Sequence, residues 1–152
     1  MQQTDVCIVG AGPGGVTAAL HLANRGIPCT LVDKAFFPRD KVCGDALSGK
    51  VVNELRRIDA ALPGKLAASA MSLPSWGMQL TAPDGQPLGI PFRAGYDPGT
   101  EAAPGYVVRR TDFDNLLVDE ARRRPEITLR EGVHIQTFSF ANGYWSLADA
   151  SG

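Results

Sequence analysis

Near the N-terminus, Gly10-Ala-Gly12-Pro13-Gly14-Gly15 sets glycines at the spacing G-x-G-x-x-G, and an acid, Asp33, follows eighteen residues after the last of them. Residues of these types at this spacing suit the phosphates and ribose of a dinucleotide. Gly10 permits a tight turn, Gly12 lets the backbone approach a pyrophosphate, and Gly15 allows a helix to pack closely on a strand. Pro13 and Gly14 complete the turn where a helix would open, and the free N–H groups and positive dipole of a helix N-terminus favour anions. The Asp33 carboxylate can accept both hydroxyls of an adenosine ribose, with Lys34 beside it as a further candidate contact. An acid at that place disfavours a 2′-phosphate, so NADP is not expected here. FAD and NAD both remain open on these residues alone.

Such a turn needs a strand before it and a helix after it. Asp5 to Val9 is a continuous apolar run, as expected of a strand covered on both faces of a parallel sheet. Gly14 to Arg25 carries Val16, Ala19, Leu20 and Ala23 at helical spacing, and Gly26 sits where a C-terminal cap belongs. Ile27 to Val32 predicts a second strand ending at Asp33. The whole reads as a right-handed βαβ unit with parallel strands.

Further on, Lys34 to Gly49 reads as a polar, irregular loop. Ser48 could cap a helix over Val51, Val52, Leu55 and Ile58. Met71 to Thr81 is strand-like, Pro83-Asp84-Gly85 a turn, and Leu88 to Phe92 the returning strand of a hairpin. Arg93 to Gly105 is a loop and Tyr106 to Arg109 a short strand. Thr111 then begins a helix, with Asp114 in the capping-box place and Leu116, Leu117 and Ala121 as its apolar positions. Ile127 to Leu129 and Val133 to Phe140 are expected strands, joined by the Asn142-Gly143 turn to a last one starting at Tyr144. The end at Gly152, just after that hairpin, suggests a truncated reading frame.

The 152 residues make about one domain, with 44% hydrophobic and 20% charged residues. Lys+Arg at 15 against Asp+Glu at 16 gives a net charge of −1, which argues against nucleic acid or an anionic membrane surface as the main partner. Three cysteines without a CxxC pair suit a reducing cytosol, with Cys7 and Cys29 as small core residues and Cys43 as a loop thiol. Val6 to Asn24 lacks charge, but its central glycines and Pro13 would break a spanning helix. The N-terminus lacks the positive region of a signal peptide, and a cytoplasmic location is expected. His21 on the first helix and His134 in a strand have no second ligand nearby, so no metal site is expected. Trp76 and Trp145 read as packing residues, and Arg122-Arg-Arg124 as charge at a helix C-terminus.

Three segments taken together carry a resemblance. Val9-Gly10-Ala-Gly-Pro-Gly-Gly15, Phe37-Pro-Arg-Asp-Lys-Val-Cys-Gly-Asp45 and Arg110-Thr-Asp-Phe-Asp-Asn-Leu-Leu117 resemble, in this order and from residue 5 to about 150, the geranylgeranyl reductase family. That family belongs to the FAD-dependent group that includes p-hydroxybenzoate hydroxylase, squalene epoxidase-like enzymes and flavin halogenases. The resemblance implies an α/β, Rossmann-like FAD-binding fold and makes FAD, not NAD, the expected cofactor. It implies that residues 1–152 are the N-terminal part of an FAD-binding domain, with Met71 to Phe92 as the start of a substrate-binding sheet. It places Cys43-Gly44-Asp45 beside the isoalloxazine and ribityl chain, and matches Arg110 to an arginine that reaches the flavin cofactor. Cys43 is the one candidate for a catalytic, substrate-face contact, and reads equally well as a neutral wall thiol; no other catalytic residue can be named. Arg39 and Lys41 could neutralise an FAD phosphate or be solvated loop charges, and Arg110 could instead pair with Asp112 or Asp114.

By the same resemblance the chemistry is an oxidoreductase's. Reduced flavin would deliver hydride to a carbon–carbon double bond of a prenyl chain, with NAD(P)H or another reductant as electron donor. The expected partner is thus a small-molecule substrate, a prenyl lipid, with peripheral membrane contact through parts outside this sequence. The alternatives are a flavin monooxygenase (a hydroxylase or epoxidase) and a non-catalytic FAD-binding fragment. The Trp-x-Trp-x-Ile-Pro signature of flavin halogenases is absent from this stretch, which lowers that reading. The family's second FAD motif, a Gly-Asp pair, is expected beyond residue 152.

Overall fold

The computed structural model describes residues 3–149. The first two and last three residues, and with them the reading of the chain end at Gly152, lie outside the described residues. In chain order the elements begin with β1 (Cys7–Val9), α1 (Pro13–Ala23), β2 (Cys29–Val32), β3 (Ala46–Leu47), α2 (Gly49–Ile58), α3 (Leu62–Ala68) and β4 (Ser72–Ser75). They continue with β5 (Gly77–Thr81), β6 (Pro87–Pro91), β7 (Gly105–Val108), α4 (Arg110–Arg122), β8 (Ile127–Arg130), β9 (Thr137–Ala141) and β10 (Tyr144–Ala148). The chain divides into two compact units, one of residues up to Lys41 and from Phe113 onward, the other of Val42–Asp112.

The first unit holds a parallel sheet in the order β1-β2-β8. Ile8 sits opposite Leu31 and Leu31 opposite Leu129. The expected βαβ unit is therefore present, and α1 buries the predicted stripe of Val16, Ala19, Leu20 and Ala23. Gly26, at φ +69°, ends that helix with its N–H on the Ala23 carbonyl at 2.9 Å. All four residues of β2 are buried. Leu20, Leu31, Leu117 and Val118 are among the fully buried side chains of this core, each worth about 1.5–3 kcal/mol of burial. Asn142 and Gly143, both at positive φ, make the predicted tight turn between β9 and β10.

The second unit builds an antiparallel sheet in the order β3-β7-β4, against which α2 and α3 bury Val52, Leu55, Ile58, Leu62 and Leu66. A separate hairpin, β5-β6, turns at Gly85 (φ +84°), with Asp84 Oδ1 accepting from the Gln86 N–H at 3.0 Å.

Several expectations need correction. β1 is not covered on both faces: it is an edge of its sheet among the described residues, and Cys7 and Val9 are exposed, so Cys7 is no core residue. Cys29, on the central strand, is buried. Ser48 precedes α2 but makes no side-chain cap. Met71 to Thr81 is broken at Trp76 into two strands that join different sheets. Helix α3 was not expected: it is short and carries Gly64, while Pro63 sits in its first turn where proline is tolerated, and burial of Leu62 and Leu66 holds it. The strand expected from Val133 begins only at Thr137, so His134 lies in the segment before β9. Trp145 stays 67% exposed, touching Phe140 at a ring distance of 5.2 Å.

Candidate dinucleotide site

The C-terminal end of β1 turns sharply at Gly10, whose φ of +105° a side chain would strain. Its N–H donates to the Val32 carbonyl at 2.7 Å, tying the turn to the neighbouring strand. Gly15 is the packing glycine: a Cβ there would stand 1.9 Å from the Gly10 carbonyl oxygen and 3.3 Å from Ile8 Cγ2. No side chain fits. Gly14, by contrast, faces open space, and Gly12 faces only Arg39, with Nη2 at 3.5 Å from the place of a Cβ. Gly12 is the N-cap of α1 with no side-chain cap, and Pro13 follows at the start. The first-turn N–H groups thus point out of the helix end unclaimed by any side-chain cap.

Asp33, at the end of β2, closes the other side of the turn. Its Oδ2 accepts the Ala11 N–H at 2.7 Å and its Oδ1 accepts the Ala35 N–H at 2.8 Å. The carboxylate, on a residue only 8% exposed, locks the glycine turn to the loop that follows β2. Each oxygen keeps a second lone pair, so these bonds leave room for ribose hydroxyls. Around the turn lies a cavity of about 410 Å³ whose walls include Gly10, Asp33, Lys34, Arg39, Lys41 and His134.

The loop carrying Arg39 is held by groups far away in the chain. The Phe37 N–H donates to Glu131 Oε1 at 2.7 Å, and Arg122 Nη2 grips both oxygens of the same carboxylate at 2.9 and 2.8 Å. The hydrogen bond with Glu131 is the chief reason that the Arg122 pKa is raised. The Arg39 guanidinium lies 4.9 Å from the Phe37 ring centre, and Nη1 lies 3.2 Å from Asp114 Oδ2. Asp114 is therefore not a capping-box residue. The helix starts earlier, at Arg110, and its turn brings Asp114 onto the buried stripe with Phe113, Leu117 and Val118.

Of the site residues read from sequence, the structure brings Gly10, Gly12, Pro13, Gly14, Gly15, Asp33, Lys34 and Arg39 together within the first unit. Cys43, Gly44, Asp45 and Arg110 belong to the second. There Cys43 is exposed, Gly44 has open space where a Cβ would be, and the Asp45 carbonyl accepts the Val108 N–H at 2.9 Å. Glu131 and the Val133-His134-Ile135 wall were missed. An acid on the apolar stripe of α4 was the available signal for Asp114.

The turn fits a dinucleotide diphosphate: Gly12 is open where a phosphate would approach, and the only side-chain atom near that place is Arg39 Nη2, a cationic donor. Comparison with known proteins gives the nucleotide. Residues 3–142 match the family described as FAD binding domain. The chain is 37% identical over 117 residues to a menaquinone reductase of Mycolicibacterium smegmatis, covering 76% of this chain and 26% of that protein. It is 34% identical over 120 residues to a digeranylgeranylglycerophospholipid reductase of Methanothrix thermoacetophila, covering 78% of this chain and 27% of that protein. Among solved structures it is similar to CmlS, a flavin-dependent halogenase, with a TM-score of 0.71 and 27% identity over 98% of this chain and 28% of that one. The chain thus spans about a quarter of the length of these relatives.

Proposed function

This chain belongs to the FAD binding domain family, and from that premise we propose that it supplies the diphosphate and adenosine-ribose contacts of an FAD-dependent oxidoreductase acting on carbon–carbon double bonds of a prenyl chain. The observation that supports the FAD contacts is the turn itself, at positive φ at Gly10, open at Gly12 and locked by Asp33. In this reading the N–H groups at the start of α1, together with Arg39, hold the diphosphate. Asp33 and Lys34 serve the ribose, and Cys43, Gly44, Asp45 and Arg110 serve the flavin end. FAD, when bound, supplies hydride chemistry, and a nicotinamide or other reductant supplies its electrons. The protein's own task is to hold the cofactor in register and exclude competing reactions.

The likeness to two reductases supports reduction of a double bond. The likeness to a halogenase supports a second reading, in which the flavin reacts with oxygen as in a monooxygenase. The intact protein, reduced and offered menaquinone and geranylgeranyl lipids without oxygen, separates the two. Reductase activity adds two hydrogens to the chain, read by mass spectrometry. No addition without oxygen, with substrate-coupled oxygen uptake in air, would favour the monooxygenase and overturn the reductase.

A further inference from the structure

Helix α4 carries an acid where its pattern calls for an apolar residue. Asp114 shares the buried stripe with Phe113, Leu117, Val118 and Ala121, and its side chain has 0% exposure. A carboxylate so placed is costly unless a charge answers it, and Arg39 Nη1 answers at 3.2 Å. That nitrogen is nonetheless buried without a hydrogen bond of good geometry, so charge holds the pair more than direction does. A buried ion pair of this kind adds little to stability over apolar residues of the same volume. Its position fits a different role. The other arm of the same guanidinium, Nη2, lies 3.5 Å from where a Cβ of Gly12 would stand. The guanidinium carbon lies over the Phe37 ring, and the Phe37 N–H is fixed by Glu131.

We infer that Asp114 is a positioning residue: from inside the fold it holds the Arg39 fork against the glycine turn, ready for a diphosphate. Asp114 does not touch the ligand. It restricts a long side chain that would otherwise lose rotamer freedom on binding, and such pre-ordering strengthens affinity without a new contact. The inference rests on the FAD reading of this same site.

A double-mutant cycle tests it in the intact protein. Wild type, Arg39→Gln, Asp114→Asn and the double variant are titrated with FAD by fluorescence quenching and with ADP by calorimetry, and each is melted to confirm folding. Asp114→Asn should weaken both ligands about tenfold, and the double variant should bind no more weakly than Arg39→Gln alone. Unchanged affinity in Asp114→Asn, or losses that multiply in the double variant, would overturn the inference. A wild type that binds ADP but ignores FAD would overturn the FAD reading, and the ADP cycle would still judge Asp114. Binding of neither would overturn both. Should Asp114→Asn not fold, Asp114→Glu keeps the buried charge but moves it by one methylene, which displaces the Arg39 fork from the glycine turn. The same tenfold loss supports the inference, and wild-type affinity overturns it.

Discussion

Asp33→Asn separates the two tasks that the geometry gives one carboxylate. The amide keeps one acceptor oxygen but turns an NH2 toward either the Ala11 or the Ala35 N–H, which the carboxylate meets at 2.7 and 2.8 Å. One hydrogen bond to a charged acceptor is lost, about 1.5–3 kcal/mol. For a chain of this size each kcal/mol lowers Tm by roughly 2–4 °C. The ligand-free protein should therefore melt about 3–12 °C lower. If a ribose hydroxyl also depends on the carboxylate, FAD should bind a further ten- to roughly hundredfold more weakly. FMN has no adenosine ribose and should lose much less. Both titrations need correcting for the folded fraction, which the melting curve supplies. An unchanged Tm would refute the two backbone bonds as stabilising contacts. Equal losses for FAD and FMN would mean that Asp33 holds the turn and no ribose.

Gly15→Ala drives a Cβ to 1.9 Å from the Gly10 carbonyl oxygen and should destabilise by about 3 kcal/mol or abolish folding. Gly14→Ala, facing open space, should be neutral or stabilising by about 0.4–1 kcal/mol in chemical denaturation. Similar losses in both would refute the packing assignment. Glu131→Gln removes the charge that Arg122 and the Phe37 N–H share; it should lower Tm and weaken FAD several-fold by loosening the Arg39 loop, and unchanged affinity would show the loop to be held otherwise. Cys29 is 2% exposed, and burial first, then the neighbouring Cys7, pushes its thiol pKa up. Maleimide should label exposed Cys43 well before Cys29 in the native protein, and equal rates by peptide mass spectrometry would contradict the core placement.

The βαβ unit was legible because its signals are local: glycine spacing, the stripe at Val16, Ala19, Leu20 and Ala23, and the cap at Gly26. The split at Trp76 was hidden because the flanking residues are strand-like throughout, and only their different partners divide them. Helix α3 was hidden because it is only seven residues long with a glycine at Gly64, and tertiary burial of Leu62 and Leu66 holds it. Within the site, the glycines and Asp33 could be read from spacing. Glu131 could not, because it meets the Phe37 N–H across 94 residues of sequence. Asp114 was misread as a capping residue because its distance from Thr111 looked local, while its true partner, Arg39, lies on another part of the chain.

The most direct test of the central claim is the cofactor that the intact protein carries. Purified protein should show a flavin absorption spectrum and, on denaturation, release FAD in about a one-to-one ratio with chain, identified by chromatography. Gly12→Val should fold, since only the end of Arg39 stands near the new side chain, yet retain no FAD. Release of NAD, a colourless protein indifferent to added FAD, or a folded Gly12→Val protein that keeps its flavin would contradict the account.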